Sequence, residues 1–301
     1  MPISIKRFTS KRFIYKLVIL AIILLGLSAW LWWHFIFTSP KRVFDDMLRA
    51  NLRTVSYAKR ISQAGDSQSL DQATQLWAGK TNMAHSVTYL SQTGTSAATV
   101  ATESIGTPKE DFVRYTQIST KQKDAKGKDL DFFKVLNVWG KTGSQQAQLS
   151  GGQLFSQSVF GILPIADLKP ADSDKLYKLI KEANVYQPDY NSVQRISQNG
   201  RPALVYHIQA DTEGYIKMLK AFSQIIGLHQ FDSLDPSIYK DHGAIKFDAT
   251  VDVLSRQLVK VKYDSADREE TYGAYGIVNS IKIPNSSVPI EELQQRLESL
   301  Q

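Results

Sequence analysis

Residues 246–263 read KFDATVDVLSRQLVKVKY, and the first half alternates without a break: Phe247, Ala249, Val251 and Val253 against Lys246, Asp248, Thr250 and Asp252. A period of two puts one set on each side of a half-buried β-strand. Leu258 to Tyr263 predicts its partner. Upstream, Asn199-Gly200 is the strongest short hairpin signal, and it joins residues 193–197 to 203–209, where Leu204, Tyr206 and Ile208 share one face. These strands describe a sheet with one apolar side.

Working outward, helices alternate with strands but never in a βαβ rhythm. Ser39-Pro40 predicts a helix start, followed by Phe44, Met47, Leu48 and Leu52 at helical spacing. Between residues 55 and 139, glycine turns at Gly65, Gly79, Gly94 and Gly106 divide β-forming runs, which predicts an antiparallel meander. Residues 112–118 and 132–139 flank a charged stretch and predict a hairpin with a solvated tip. Residues 143–153 (GSQQAQLSGGQ) carry no charge and predict a loop. Asp172-Ser173-Asp174 can cap a helix with Leu176, Leu179, Ile180 and Ala183 on one side. Asp211-Thr212 starts another, with Ile216, Leu219, Phe222 and Ile226 inward and Gly227 as its stop. A last strand is expected at 277–283, then a terminal helix with Ile290, Leu293, Leu297 and Leu300. The order predicts an α+β fold, one sheet whose apolar face helices cover. No Pro/Gly-rich linker divides residues 41–301.

The chain has 301 residues, no Cys, a net charge of +7 and a pI near 9.3. From residue 17 to 37 it reads LVILAIILLGLSAWLWWHFIF, about the ~20 apolar residues a bilayer crossing needs. Lys6, Arg7, Lys11, Arg12 and Lys16 precede it without an acid, which by the positive-inside rule leaves residues 1–16 as a cytoplasmic tail and exports residues 38–301. Trp30, Trp32 and Trp33 fall at the far interface. A cleaved signal peptide is the competing reading. Its apolar core is normally about 7–15 residues and ends in small side chains, whereas this one ends in Trp, His and Phe, which favours an uncleaved single-pass anchor in the cell membrane. Without the five leading cations, 31 Lys and Arg face 29 Asp and Glu, so the basic pI reports topology and implies no nucleic-acid partner.

Catalytic chemistry lacks its signatures. Leu149-Ser150-Gly151-Gly152-Gln153 matches the LSGGQ signature of transporter ATPases, but that motif works opposite a phosphate loop. The two Gly-Lys-Thr triplets, at 79–81 and 140–142, have Thr74 and Val135 where the loop needs its first glycine. His85, His207, His229 and His242 are scattered, with no HExxH, so no metal site is expected; His207 faces away from Leu204, Tyr206 and Ile208. There is no Gly-x-Ser-x-Gly elbow. The pairs Asp45/Asp46 and Glu291/Glu292 are expected in first helical turns, compensating dipoles. The reading is of a protein that binds and does not catalyse, with no cofactor.

A sheet with one apolar face under helices can enclose a cavity for an acyl chain. Candidate cavity residues are Leu204, Tyr206, Ile208, Phe247, Ala249 and Val251. The same alternation describes a packed core equally well, which leaves a second reading, a membrane-tethered interaction or sensor module of a cell-envelope assembly with a filled interior and an envelope protein as partner.

The order of elements, with residues 199–208 (NGRPALVYHI) and 249–261 (ATVDVLSRQLVKV), resembles the LolA/LppX-like superfamily of extracytoplasmic lipid and lipoprotein carriers. The resemblance implies an antiparallel half-barrel with helices in its concave face and a lipid or lipidated ligand between them. Two departures stand out. LppX-like members generally carry a lipidated Cys, absent here, and LolA is a soluble shuttle, whereas this chain has a protein tether.

Overall fold

A computed structural model describes residues 11–78, 82–94, 97–124, 126–142, 153–278 and 280–300. Leu149 to Gly152 of the LSGGQ stretch, the triplet at 79–81 and the tail residues Lys6 and Arg7 lie outside it. Thirteen strands join in one sheet: β1 Ser56–Ala64, β2 Gln68–Trp77, β3 Met83–Gln92, β4 Ala98–Gly106, β5 Asp111–Thr120, β6 Gly140–Lys141, β7 Tyr186–Pro188, β8 Gln194–Gln198, β9 Arg201–Asp211, β10 Ala244–Asp252, β11 Leu258–Tyr263, β12 Arg268–Gly273 and β13 Val288–Pro289. The order is β13-β6-β5-β4-β3-β2-β1-β12-β11-β10-β9-β7, with β8 pairing β9. All neighbours are antiparallel except β13 and β6. The protein is α+β, as the alternation implies.

The meander β1 to β5 follows the glycine turns, and the N–H of Gly65 donates to Gln68 O to close the first. Asn199 and Gly200 both take positive φ, 52° and 75°, the backbone a two-residue hairpin turn requires. Phe247, Ala249 and Val251 sit opposite Ile208, Tyr206 and Leu204, so the six predicted residues form three cross-strand pairs.

Six α-helices stand among the described residues: α1 Lys11–Leu31, α2 Pro40–Asn51, α3 Gln153–Val159, α4 Pro170–Glu182, α5 Thr212–Ile225 and α6 Ile290–Glu298. Val43, Phe44, Met47 and Leu48 bury one stripe of α2 against the sheet. Asp211 caps α5 by accepting from Gly214 N, and Gly227, at φ 75°, follows its end. Asp45 and Asp46 lie beyond the first turn of α2, where they pair with Lys181 and with Arg42 and Arg256. Glu291 and Glu292 do occupy the first turn of α6.

Besides the placement of Asp45 and Asp46, three further expectations are corrected. Residues 132–138 make no hairpin strand: Asp131 Oδ1 accepts from Phe133 N, Phe132 O accepts from Val135 and Leu136 N, and Asn137 turns left-handed at φ 61°. Side-chain capture of the backbone wins there over the β propensity of Phe and Val. The last long strand is β12, ending on Gly273, and the described residues of 277–283 form none; Ile277 and Ile283 are 74% and 47% exposed, and the β12 strand pairs β1 instead. The fourth helix begins on Pro170, with Lys169 at the cap position, so Asp172 lies within its first turn.

Tyr15–Phe37, including a π-helical last turn from Trp32 to Phe37, is long and apolar enough to cross a membrane, and its apolar stretch is not buried against the rest of the chain except at its Phe37 end. Trp30, Trp32 and Trp33 are exposed, and Trp33 stacks on Phe37 at 4.8 Å. The helix end docks on the domain. Arg256 Nη2 donates to Phe37 O at 2.6 Å, Arg195 Nη2 to Thr38 O at 3.3 Å and Tyr206 Oη to Pro40 O at 2.8 Å.

Candidate ligand site between sheet and helices

The six residues predicted to line a cavity are brought together, and each is 0–2% exposed in the main core. Helix α2 closes over them. Phe44 meets the Tyr206 ring at 5.3 Å between centroids, and Tyr186 meets Phe247 edge-on at 6.5 Å.

Open space lies further along the same layer. A gap of about 220 Å³ is lined by Ala78, Phe155, Val159, Ala166, Leu168, Ile225 and Ile226, with Asn82, Asp167, Lys169 and Asp172 as its polar part. None of the six predicted residues lies on its wall. It is bounded by α3, by the end of α5 and by the segment that follows α3.

That segment is an unusual core component. Phe155, Val159, Ile162, Leu163, Ile165, Ala166 and Leu168 are 1–7% exposed, yet no regular element continues past Val159. Its far end is pinned by backbone: Ala166 N donates to Asn51 O and Leu168 N to Leu52 O, both at 3.0 Å. Its middle is held by side chains. Lys59 Nζ and Tyr57 Oη donate to Ser158 O at 3.3 and 3.1 Å, Tyr215 Oη to Gly161 O at 3.2 Å and Tyr186 Oη to Ile162 O at 2.6 Å.

Under it lies a buried charged cluster. Glu270 is 1% exposed and Lys59 5% exposed, both facing the helices. Glu270 Oε1 accepts from Arg268 Nη2 at 2.6 Å and Tyr263 Oη at 3.3 Å, and Oε2 accepts from Tyr272 Oη at 2.5 Å. Burial pushes the Glu270 carboxyl up, but the Lys59 charge, the Tyr272 hydroxyl and Arg268 outweigh it and hold the group below its ordinary value. Burial pulls the Lys59 ammonium down, with Glu270 opposing. The Tyr57 and Tyr272 hydroxyls are raised by burial and by the Glu270 charge, so they stay protonated donors. Tyr215, raised to about 12 for the same reasons, does too.

Sequence reasoning did not find this cluster. The signal available was Tyr57-Ala58-Lys59-Arg60-Ile61, where a lysine shares a strand face with Tyr57 and Ile61. His207 lies on the other side of the sheet, where its Nδ1 meets Asp248 Oδ1 at 2.5 Å. Among the described residues no three His, Asp or Glu gather as a metal group.

No family model and no curated protein matches the chain. Among solved structures it is similar to the crystal structure of LprF from Mycobacterium bovis, at 13% identity over 82% of this chain and 97% of that one, with a TM-score of 0.41. The likeness is weak. At this level it carries no argument about ligand or partner, which rest on this chain's own residues.

Proposed function

We propose that the chain is a non-catalytic, membrane-anchored extracytoplasmic protein that binds a lipid or lipidated ligand between its sheet and its helices. Residues 1–16 are the cytoplasmic tail, 17–37 the single-pass anchor and 38–301 the binding domain. The observation that supports this best is the open gap of about 220 Å³ beside an irregular core segment, with an apolar wall of Phe155, Val159, Ala166, Leu168, Ile225 and Ile226 and a polar wall of Asn82, Asp167, Lys169 and Asp172. Its volume is below the ~300 Å³ at which small-molecule sites begin, so it admits part of an acyl chain and must widen for more. The six residues Leu204, Tyr206, Ile208, Phe247, Ala249 and Val251 form the floor behind α2 that such widening reaches.

The test uses the full chain in nanodiscs containing a phospholipid with a photoreactive group at the end of its acyl chain. Crosslinks to Phe155, Val159 or Ile225 are expected in addition to those on the anchor. Crosslinks confined to residues 15–37 refute the reading.

A second reading, an interaction or sensor module of a cell-envelope assembly, is favoured by the complete burial of those six residues under Phe44 and Tyr186. It requires anchor-only lipid crosslinks together with a protein partner captured on the domain surface.

A further inference from the structure

We propose that residues 154–165 are a resident occupant of the lipid site, and that an anionic lipid takes their place by offering phosphate oxygens to the donors that now hold the segment's carbonyls. This rests on the lipid-binding reading and adds to it the ligand's charge and the way the site opens.

The segment has the contacts of a ligand more than those of a scaffold. Its apolar side chains, Phe155, Val159, Ile162, Leu163 and Ile165, fill the layer between sheet and helices. Its polar atoms are held by side chains drawn from four separate elements: Tyr57 and Lys59 of β1, Tyr186 of β7 and Tyr215 of α5 donate to its carbonyls, and Asp111 of β5 accepts from Leu154 N at 3.1 Å. An acyl ester or phosphate presents the same combination, a greasy chain with acceptor oxygens at one end.

The charge balance gives the preference. Lys59 and Arg268 are two cations beside one carboxylate, and the Glu270 oxygens are engaged by Arg268, Tyr263 and Tyr272. The hydrogen bond of Lys59 goes to the neutral Ser158 carbonyl. A phosphate oxygen in that position accepts a charge-assisted bond, roughly twice as strong as a neutral one, and neutralises the surplus positive charge. The gap beside Phe155 and Val159 gives the incoming chain its starting point.

The experiment is hydrogen–deuterium exchange of the full chain in nanodiscs of phosphatidylcholine alone, or of phosphatidylcholine mixed with phosphatidylglycerol. With phosphatidylglycerol, amides 156–165 are expected to exchange about tenfold faster while those of β9 and β10 hold their rate. Lys59→Met is expected to abolish that difference. Tyr215→Phe removes one hold on Gly161, and is expected to speed exchange of 156–165 about fivefold in phosphatidylcholine alone. It serves as the conservative variant should Lys59→Met fail to fold. If lipid crosslinks appear in the domain but exchange of 156–165 is unchanged or slower, the segment is not displaced and the proposal falls while the lipid reading stands. If both lipids speed exchange equally, the anionic preference falls. If neither crosslinks nor exchange respond, the lipid reading falls with it. Equal exchange with inorganic phosphate alone overturns the assignment to a lipid.

Discussion

Glutamate 270 offers the sharpest test of how the core is balanced. Glu270→Gln keeps the shape of the side chain and removes its charge, which leaves Lys59, 5% exposed, without its anion. Breaking a buried pair by neutralising one partner costs about 3–5 kcal/mol, because the other charge stays desolvated. Arg268 is half in water at 36% side-chain exposure, so solvent carries its charge and the loss centres on Lys59. For a folded unit of this size each kcal/mol moves the melting temperature by roughly 2–3 °C, so Glu270→Gln should lower Tm by ~6–15 °C. The companion variant Lys59→Met removes the stranded cation. Combined with Glu270→Gln, it should recover about 2 kcal/mol or more, since a neutral core is often no worse than an ion pair. The assay is thermal and urea unfolding of the full chain in detergent for wild type, both single variants and the double. A Glu270→Gln variant within about 1 kcal/mol of wild type, or a double no more stable than Glu270→Gln, refutes the account.

Other outcomes follow from the same structure. Gly106→Ala places a Cβ 2.7 Å from Phe155 N and 2.8 Å from Leu154 Cβ, so α3 must shift, at a cost of about 1–3 kcal/mol read as a lower urea midpoint with an unchanged m-value. Leu24→Arg puts a charge near the middle of Tyr15–Phe37 and should weaken membrane insertion by roughly 3 kcal/mol, seen as release of the chain on alkaline extraction; full retention counts against the anchor. Acid should destabilise the fold through Glu270, Asp252 and Glu103. Burial raises each, but Lys59, Tyr272 and Arg268, the Arg201 and backbone donors, and Arg114 with His85 respectively outweigh it, so all three lie below their ordinary values. The unfolded chain then binds protons first as pH falls, so this stability is complete above about pH 4–5 and is lost below it as pH drops through the folded values. The check is the urea midpoint measured from pH ~6 down to ~3, and a flat profile contradicts the assignment.

Strands that bury apolar residues at every second position, β9 and β10 above all, were legible because alternation and the Asn199-Gly200 turn point the same way. The β12 strand was not. Its inward residues are Arg268, Glu270 and Tyr272, and a buried carboxylate reads as surface until the Lys59 charge on β1 and Tyr263 on β11 are placed beside it. Residues 132–138 failed in the opposite sense: Phe132, Phe133, Val135 and Val138 have strand propensity, but Asp131 and Asn137 turn the backbone locally. The buried face of β9 and β10 could be named from sequence, and the gap beside α3 could not. Residues 154–165 mix apolar and polar side chains, with helical spacing only as far as Val159, and their position under α5 depends on donors 24 to 101 residues distant in the chain, from Tyr186 on Ile162 to Tyr57 on Ser158.

Only Thr38 and Ser39 separate the end of the anchor at Phe37 from the first residue of α2 at Pro40. Two extended residues reach about 7 Å at most, and Arg256, Arg195 and Tyr206 grip that short junction from three directions. With the anchor in a bilayer, the domain has no leash on which to travel. Its working radius is its own footprint on one leaflet. On the proposed lipid-binding function, a ligand has to arrive within that footprint, drawn from the lipid directly beneath or carried in by another protein.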